Sequence, residues 1–291
     1  MTDPSPLIAT GRLLSFPTPA DPDDAYENRI HIPNADRHLA AWPVDAAAFR
    51  DSQTGAGLDL AYGDAPRARY DLFLPDGGLA TARGLAAFVH GGYWVALSKN
   101  DFSHLAAGML QRGWAVAMIG YTLAPQARIT EITQQIAAAV RALGDIGSGP
   151  LRLVGHSAGG HLVSRMMCDD IDLGDAAGRR LDRVLSVSGL HDLRPLRGLA
   201  KNELWQLDAE ESRRESPMLR TPRPGVDLVC VAGADERPEF IRQNAILPLV
   251  WQGLGSDGHS QLLAGHNHFT IIETMTAADS RLCALLAEPL G

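Results

Sequence analysis

The sequence predicts an α/β fold built on a mostly parallel sheet. Three observations carry that expectation. Short apolar runs of strand length recur from residue 69 onward, segments of helical periodicity alternate with them, and one apolar run stops at the turn Gly155-His156-Ser157-Ala158-Gly159 before helical spacing resumes. Strands alternating with helices of this length imply right-handed crossovers and parallel neighbours.

The elements follow in order. The first sixty or so residues are rich in Pro, Asp and Ala with little periodicity, so regular structure is expected to begin near Leu58. Arg69 to Leu74 alternates like a half-buried strand, and Leu85 to Val89 and Ala115 to Ile119 read as buried strands. Ile129, Ile132, Ile136, Val140 and Leu143 mark one face of an amphipathic helix. Leu151, Leu153 and Val154 supply the strand before the Gly155–Gly159 turn, and Leu162, Val163, Met166 and Met167 recur at helical spacing after it. Arg183 to Val187 and Val226 to Val231 are two further β-rich runs. Glu239 to Leu254 and the segment after Phe269 read as helical. The stretch between Leu190 and Pro224 breaks this rhythm and is too long for a tight connection. Insertions after strands sit near the strand ends that carry ligands, so residues 190–224 are expected to form a cap. The organisation expected is an N-terminal extension, residues 1–60, packing on a main domain of residues 61–291.

Composition narrows the function class. A chain of 291 residues that is 45% hydrophobic can bury a large core. A net charge of -8 without a long basic run argues against nucleic acid as a partner. No apolar stretch is long enough to span a bilayer, and the N-terminus lacks a basic start followed by an apolar core. Cys168, Cys230 and Cys283 are odd in number, scattered and without metal-like spacing, as expected of buried free thiols in a reducing cytoplasm. A cytoplasmic protein with a small-molecule substrate is the expectation, with no cofactor, no metal, no nucleic acid and no membrane; a homodimer is left open.

The chemistry centres on Ser157. In a G-x-S-x-G element the serine occupies a sharp strand-to-helix turn with its hydroxyl projecting above the sheet. A hydroxyl needs a base to take its proton, and the base needs a third group to hold it. The base belongs near Gly265-His266-Asn267-His268-Phe269, where His268, just ahead of the helical run, is preferred to His266. The acid belongs just past the Val226–Val231 run, where Asp235 and Glu236 both qualify; spacing from Gly233 points to Glu236, and Asp235 is the alternative. Glu239 falls at a helix start, where a carboxylate is favoured by the helix dipole alone. Oxyanion donors are expected from the amides of Gly92 and Tyr93 after His90-Gly91-Gly92, joined by that of Ala158. His90 reads as a structural histidine. Tyr93 and Trp94 are expected to wall the substrate pocket.

These residues resemble the α/β-hydrolases, and more narrowly the serine-dependent kynurenine formamidases (arylformamidases) and their esterase relatives. The narrower resemblance rests on His90-Gly-Gly-Tyr-Trp94, Tyr121-Thr-Leu-Ala-Pro125, Gly155-His-Ser-Ala-Gly-Gly-His-Leu162, Ser188-Gly-Leu-His-Asp-Leu-Arg-Pro195, Ser216-Pro217, Pro238-Glu-Phe240 with Arg242-Gln243, and Asn267-His-Phe269, and runs from about Tyr62 to Phe269. It implies that the acid, three residues before the Glu of Pro-Glu-Phe, is Glu236. It also implies hydrolysis of N-formyl-L-kynurenine to formate and L-kynurenine in tryptophan breakdown. A short-chain carboxylesterase of broad specificity is the alternative, and a non-catalytic binding protein of the same fold is an alternative of another class.

Overall fold

The computed structural model describes Phe16 and residues 18–289. Eight strands form one sheet: β1 (Gly57–Ala61), β2 (Arg69–Phe73), β3 (Leu85–Val89), β4 (Ala115–Ile119), β5 (Leu151–His156), β6 (Leu181–Val187), β7 (Asp227–Gly233) and β8 (His259–Leu263). Their order is β1-β2-β4-β3-β5-β6-β7-β8. The β1–β2 and β2–β4 pairs are antiparallel and every later pair is parallel. The helices are α1 (Pro22–Tyr26), α2 (Ala35–Ser52), α3 (Ala107–Gln111), α4 (Ile129–Leu143), α5 (Ala158–Met166), α6 (Gly174–Arg180), α7 (Asn202–Trp205), α8 (Ala209–Arg214), α9 (Pro238–Gln252), α10 (Thr270–Glu273) and α11 (Arg281–Ala287).

The continuous apolar runs of β3, β4 and β5 reflect burial on both faces. Every residue of these strands is buried, because helices cover both sides of a parallel sheet. Alternation divides each strand between two cores. Leu85, Ala87 and Val89 join α4 and α5 on one face, while Ala86 and Phe88 join Trp42, Phe102 and α11 on the other.

The expectation that regular structure begins near Leu58 is corrected by α2, an 18-residue helix. Its polar, alanine-rich face hides the helical period, and Pro43 lies inside it. Three buried residues fix it to the molecule: Ala35, Trp42 and Ala46. The Trp42 ring meets Phe102 and Phe269 at 5.2 and 5.0 Å, and its Nε1 donates to Glu273 at 2.8 Å. Tertiary packing decides the helix where the periodic signal is weak.

The 190–224 stretch holds a 3₁₀ turn (Pro195–Gly198), α7, α8 and a second 3₁₀ turn (Pro217–Leu219). Buried carboxylates tie it to the domain. Glu211 receives Arg128 at 2.8 Å, and Glu215 pairs with Arg165 at 3.1 Å and accepts from Thr133 at 3.0 Å. Buried charges of this kind persist only when paired and hydrogen-bonded.

Candidate active site

Ser157, Glu236 and His268 follow the C-terminal ends of the parallel strands β5, β7 and β8, the edge where open α/β sheets place their ligands. Ser157 has φ 56° and ψ −118°, a sparsely populated conformation for a residue with a Cβ, costing of order 1–3 kcal/mol. Its surroundings impose it. The Ser157 amide donates to the Val187 carbonyl at 2.8 Å, and the Ser157 carbonyl accepts from the His161 amide at 3.2 Å. The glycines permit the turn: a Cβ on Gly159 would lie 2.0 Å from the Val89 oxygen, and one on Gly155 would lie 2.1 Å from the Gly159 oxygen.

Nδ1 of His268 meets Oε2 of Glu236 at 2.7 Å. The Glu236 side chain is fully buried and that of His268 nearly so. Because the carboxylate accepts, His268 carries its proton on Nδ1 and leaves Nε2 as the basic nitrogen. The other carboxylate oxygen accepts from the Ser188 hydroxyl at 2.6 Å and from the Gly233 amide at 2.7 Å. These donors satisfy a charge that burial alone would disfavour. Asp235, the alternative acid, is exposed, its amide bonded to the His266 carbonyl at 3.0 Å. The backbone at Gly233 explains the choice: a Cβ there would lie 2.0 Å from the His266 oxygen, so the loop turns tightly and aims Glu236 inward.

Phe240 stands edge-on to His268 with ring centroids 4.7 Å apart. His156, the residue before Ser157, donates from Nε2 to the His268 carbonyl at 2.8 Å, its ring centroid also 4.7 Å from that of His268. Burial, and then the neighbouring His268, drive the His156 pKa well below 6.5, so it is a neutral strut.

The loop after β3 approaches the serine closely. A Cβ on Gly91 would lie 3.0 Å from the Ser157 Cβ. Gly92 has φ +104°, and a Cβ there would meet the Ala96 oxygen at 2.3 Å, so only glycine fits. Tyr93 and Trp94 follow with φ 54° and 58°. The Gly92 carbonyl accepts from Val95 and Ala96 at 3.0 Å each, a tight turn that leaves the Gly92 and Tyr93 amides without a backbone acceptor among the described residues. Ala158 opens α5, where the first amides of a helix are unsatisfied. Gly92, Tyr93 and Ala158 thus supply free donors on two segments that meet at Ser157.

Trp94 requires a correction. It is fully buried, its ring edge-on to His161 at 5.2 Å and to Trp205 at 5.9 Å, and so presents no surface to a substrate. Tyr93 is half-buried, and burial, with Glu27 adding to it, pushes its phenol pKa up. His90 is fully buried, stacked on Tyr121 at 4.3 Å, its pKa lowered to about 3 by burial. It is a structural residue. Cys168, Cys230 and Cys283 are buried and unpaired.

Sequence reasoning assigned no role to Ser188 or His156. Ser188 directly follows β6, the strand beside β7, so strand order is the signal that points to it.

A serine at a strand-to-helix turn, a buried carboxylate–imidazole pair and free amides gather at the strand ends of an α/β-hydrolase scaffold. The chain is 42% identical to a protein from Silicibacter sp. TM1040 described as a thioesterase, with TM-score 0.86 over 91% of this chain and 98% of that one. An esterase from Pyrobaculum calidifontis shares the fold at 13% identity, with TM-score 0.67 over 87% of this chain and 92% of that one. The BD-FAE family model matches residues 70–172. The chain belongs to the α/β-hydrolase family and is a hydrolase. Within that family it is similar to kynurenine formamidases: 27% identical to that of Danio rerio over 82% of this chain and 84% of the relative, and 26% to that of Drosophila melanogaster over 69% and 71%. The non-catalytic alternative yields to these relationships. Among the described residues no helix is long and apolar enough to cross a membrane.

Proposed function

We propose that the chain is a serine hydrolase that cleaves an aryl formamide, N-formyl-L-kynurenine being the best-matched substrate, to give formate and L-kynurenine in tryptophan catabolism. The carrying observation is the Glu236–His268 pair, 2.7 Å apart and buried, on strand ends that also present Ser157 in its strained turn. Similarity to kynurenine formamidases over most of the chain supports the substrate class.

In this reading Nε2 of His268 takes the Ser157 proton as Oγ attacks the formyl carbon. Glu236 holds the imidazole in the required tautomer and stabilises the imidazolium that forms. The amides of Gly92, Tyr93 and Ala158 stabilise the oxyanion, each such donor being worth roughly 3 kcal/mol of barrier. His268 then protonates the arylamine as the C–N bond breaks. Water, deprotonated by His268, hydrolyses the formyl-serine and releases formate. No metal ion or cofactor is called for. The formyl group is the smallest acyl unit and asks for little space beside Ser157. Tyr93, beside the proposed oxyanion amides, stays partly accessible for the aryl ring. The net charge of -8 and unpaired buried thiols support a cytoplasmic enzyme with a small-molecule substrate.

A second reading, a short-chain carboxylesterase, is favoured by the esterase neighbours and the plant isoprenylcysteine methylesterase relatives. Formate release from N-formyl-L-kynurenine, measured beside p-nitrophenyl acetate and butyrate with Ser157→Ala as control, separates the two. A formamide kcat/KM exceeding that for the esters, and lost in the variant, supports the arylformamidase. Turnover of the esters alone moves the protein to the carboxylesterases.

A further inference from the structure

Tyr93 is held from three directions by parts of the chain remote in sequence. Its carbonyl accepts from Nε1 of Trp205 at 2.7 Å, in the 190–224 insertion. Its phenol donates to the Tyr26 carbonyl at 2.7 Å and accepts from the backbone and side-chain nitrogens of Asn28 at 3.3 and 3.4 Å, just after α1. Nζ of Lys201 lies 4.8 Å from its ring centroid and pairs with Glu27 at 2.7 Å. The two outer segments also grip each other, the Ala200 amide donating to Asp23 at 2.8 Å. All of this converges on a non-glycine residue at φ 54°, followed by another at φ 58°. Left-handed residues other than glycine persist where the surroundings over-determine them. Here the surroundings are two segments that carry none of the three proposed catalytic side chains.

We propose that the N-terminal segment around Tyr26 and Asn28 and the 190–224 insertion together brace the oxyanion loop, with Trp205 as the principal positioning residue. The inference rests on the serine-hydrolase reading of the site. Trp205 fixes the rotation of the Tyr93 carbonyl, and the phenol anchor holds the residue at its far end. Between them they fix residue 93 from both ends, and through its Cα the placement of the preceding Gly92 and Tyr93 amides. The insertion's role is therefore to hold the donors for the transition state. Tyr26 extends the brace to the other side of the site: its hydroxyl donates to Glu239, and its ring stands 6.3 Å from Phe240, which packs on His268.

The test compares Trp205→Phe and Tyr93→Phe with the unaltered enzyme. Each keeps an aromatic ring and loses one hydrogen-bonding atom. The readouts are kcat and KM for p-nitrophenyl acetate, Ki for an aryl trifluoromethyl ketone that forms a tetrahedral oxyanion adduct, and Tm. The brace predicts a kcat lower by about tenfold or more in Trp205→Phe, since small misplacements of catalytic groups cost up to about a hundredfold. KM stays within about twofold and ketone affinity falls in parallel with kcat, the mark of an interaction made in the transition state. Tyr93→Phe shows the same pattern more weakly and carries the test if Trp205→Phe does not fold. Unchanged kcat and ketone affinity in a folded variant overturn the brace while the parent enzyme still reacts with a fluorophosphonate at Ser157. Failure of the parent enzyme to react there removes the serine-hydrolase reading, and the brace with it.

Discussion

Glu236 reaches His268 with one carboxylate oxygen, Oε2 to Nδ1 at 2.7 Å, and is held by the other, which accepts from Ser188 and from the Gly233 amide. Replacing the charge without changing the shape isolates its role. Glu236→Gln is predicted to lower kcat by about 10³- to 10⁴-fold, because an amide neither stabilises the imidazolium nor enforces the tautomer. Asp235→Asn, at an exposed position, is predicted to stay within about twofold. Steady-state kinetics of the two variants on one substrate decide between the neighbouring carboxylates.

Ser188 supplies one of the two hydrogen bonds to the held oxygen, from a left-handed backbone position with φ 53°. Ser188→Ala is predicted to reduce kcat about tenfold with KM little changed, in line with the worth of a hydrogen bond to a charged group. Retention of the parent kcat in a folded Ser188→Ala variant would show that the Gly233 amide suffices.

The same pair of residues shows what the sequence could and could not tell. Strand-length apolar runs and the Gly155–Gly159 turn were enough to place the sheet and Ser157, since fully buried parallel strands and a strand-to-helix glycine turn leave strong local signatures. Glu236 and His268 were readable because each follows a strand at a turn. Ser188 was silent: a serine after a strand is ordinary until strand order sets β6 beside β7. Trp94 misled because its ring packs against His161 and Trp205, the latter brought from the 190–224 insertion, and no local pattern announces that contact. Helix α2 escaped notice because its three buried residues are too few to make a periodic stripe. Contacts such as Trp205 to Tyr93 join positions 112 apart, and no local pattern reports them.

Two glycine substitutions should diverge. Gly159→Ala drives a Cβ to 2.0 Å from the Val89 carbonyl oxygen, backbone that cannot swing away, and is predicted to abolish soluble expression. Gly178→Ala, in α6 with nothing within 4 Å of the new Cβ, is predicted to stabilise by about 0.5–1 kcal/mol through helix propensity and reduced unfolded-state entropy. Soluble yield checks the first, and thermal unfolding of purified Gly178→Ala beside the parent checks the second.

Acid should unfold the protein through its buried histidines. Burial lowers the pKa of His90 and His161 to about 3 and that of His191 to about 4, from an ordinary 6.5. Above 6.5 these rings are neutral folded or unfolded and cost nothing. Below it the unfolded chain takes up protons that the folded one refuses, so stability falls with pH by about 1.4 kcal/mol per unit for each, or roughly 2 kcal/mol each by pH 5. His156 shifts in the same direction. Urea unfolding at pH 7.5 and pH 5.0 is predicted to show a clearly lower stability at pH 5.0; equal stabilities would mean that these rings are not held neutral.

Fluorophosphonate labelling with peptide mass mapping tests the central claim, that Ser157 is a nucleophile activated by His268. A single stoichiometric adduct on the Ser157 peptide, lost in Ser157→Ala and slowed by orders of magnitude in His268→Ala, is the predicted result. An unlabelled protein, or an adduct that forms as fast without His268, would contradict it.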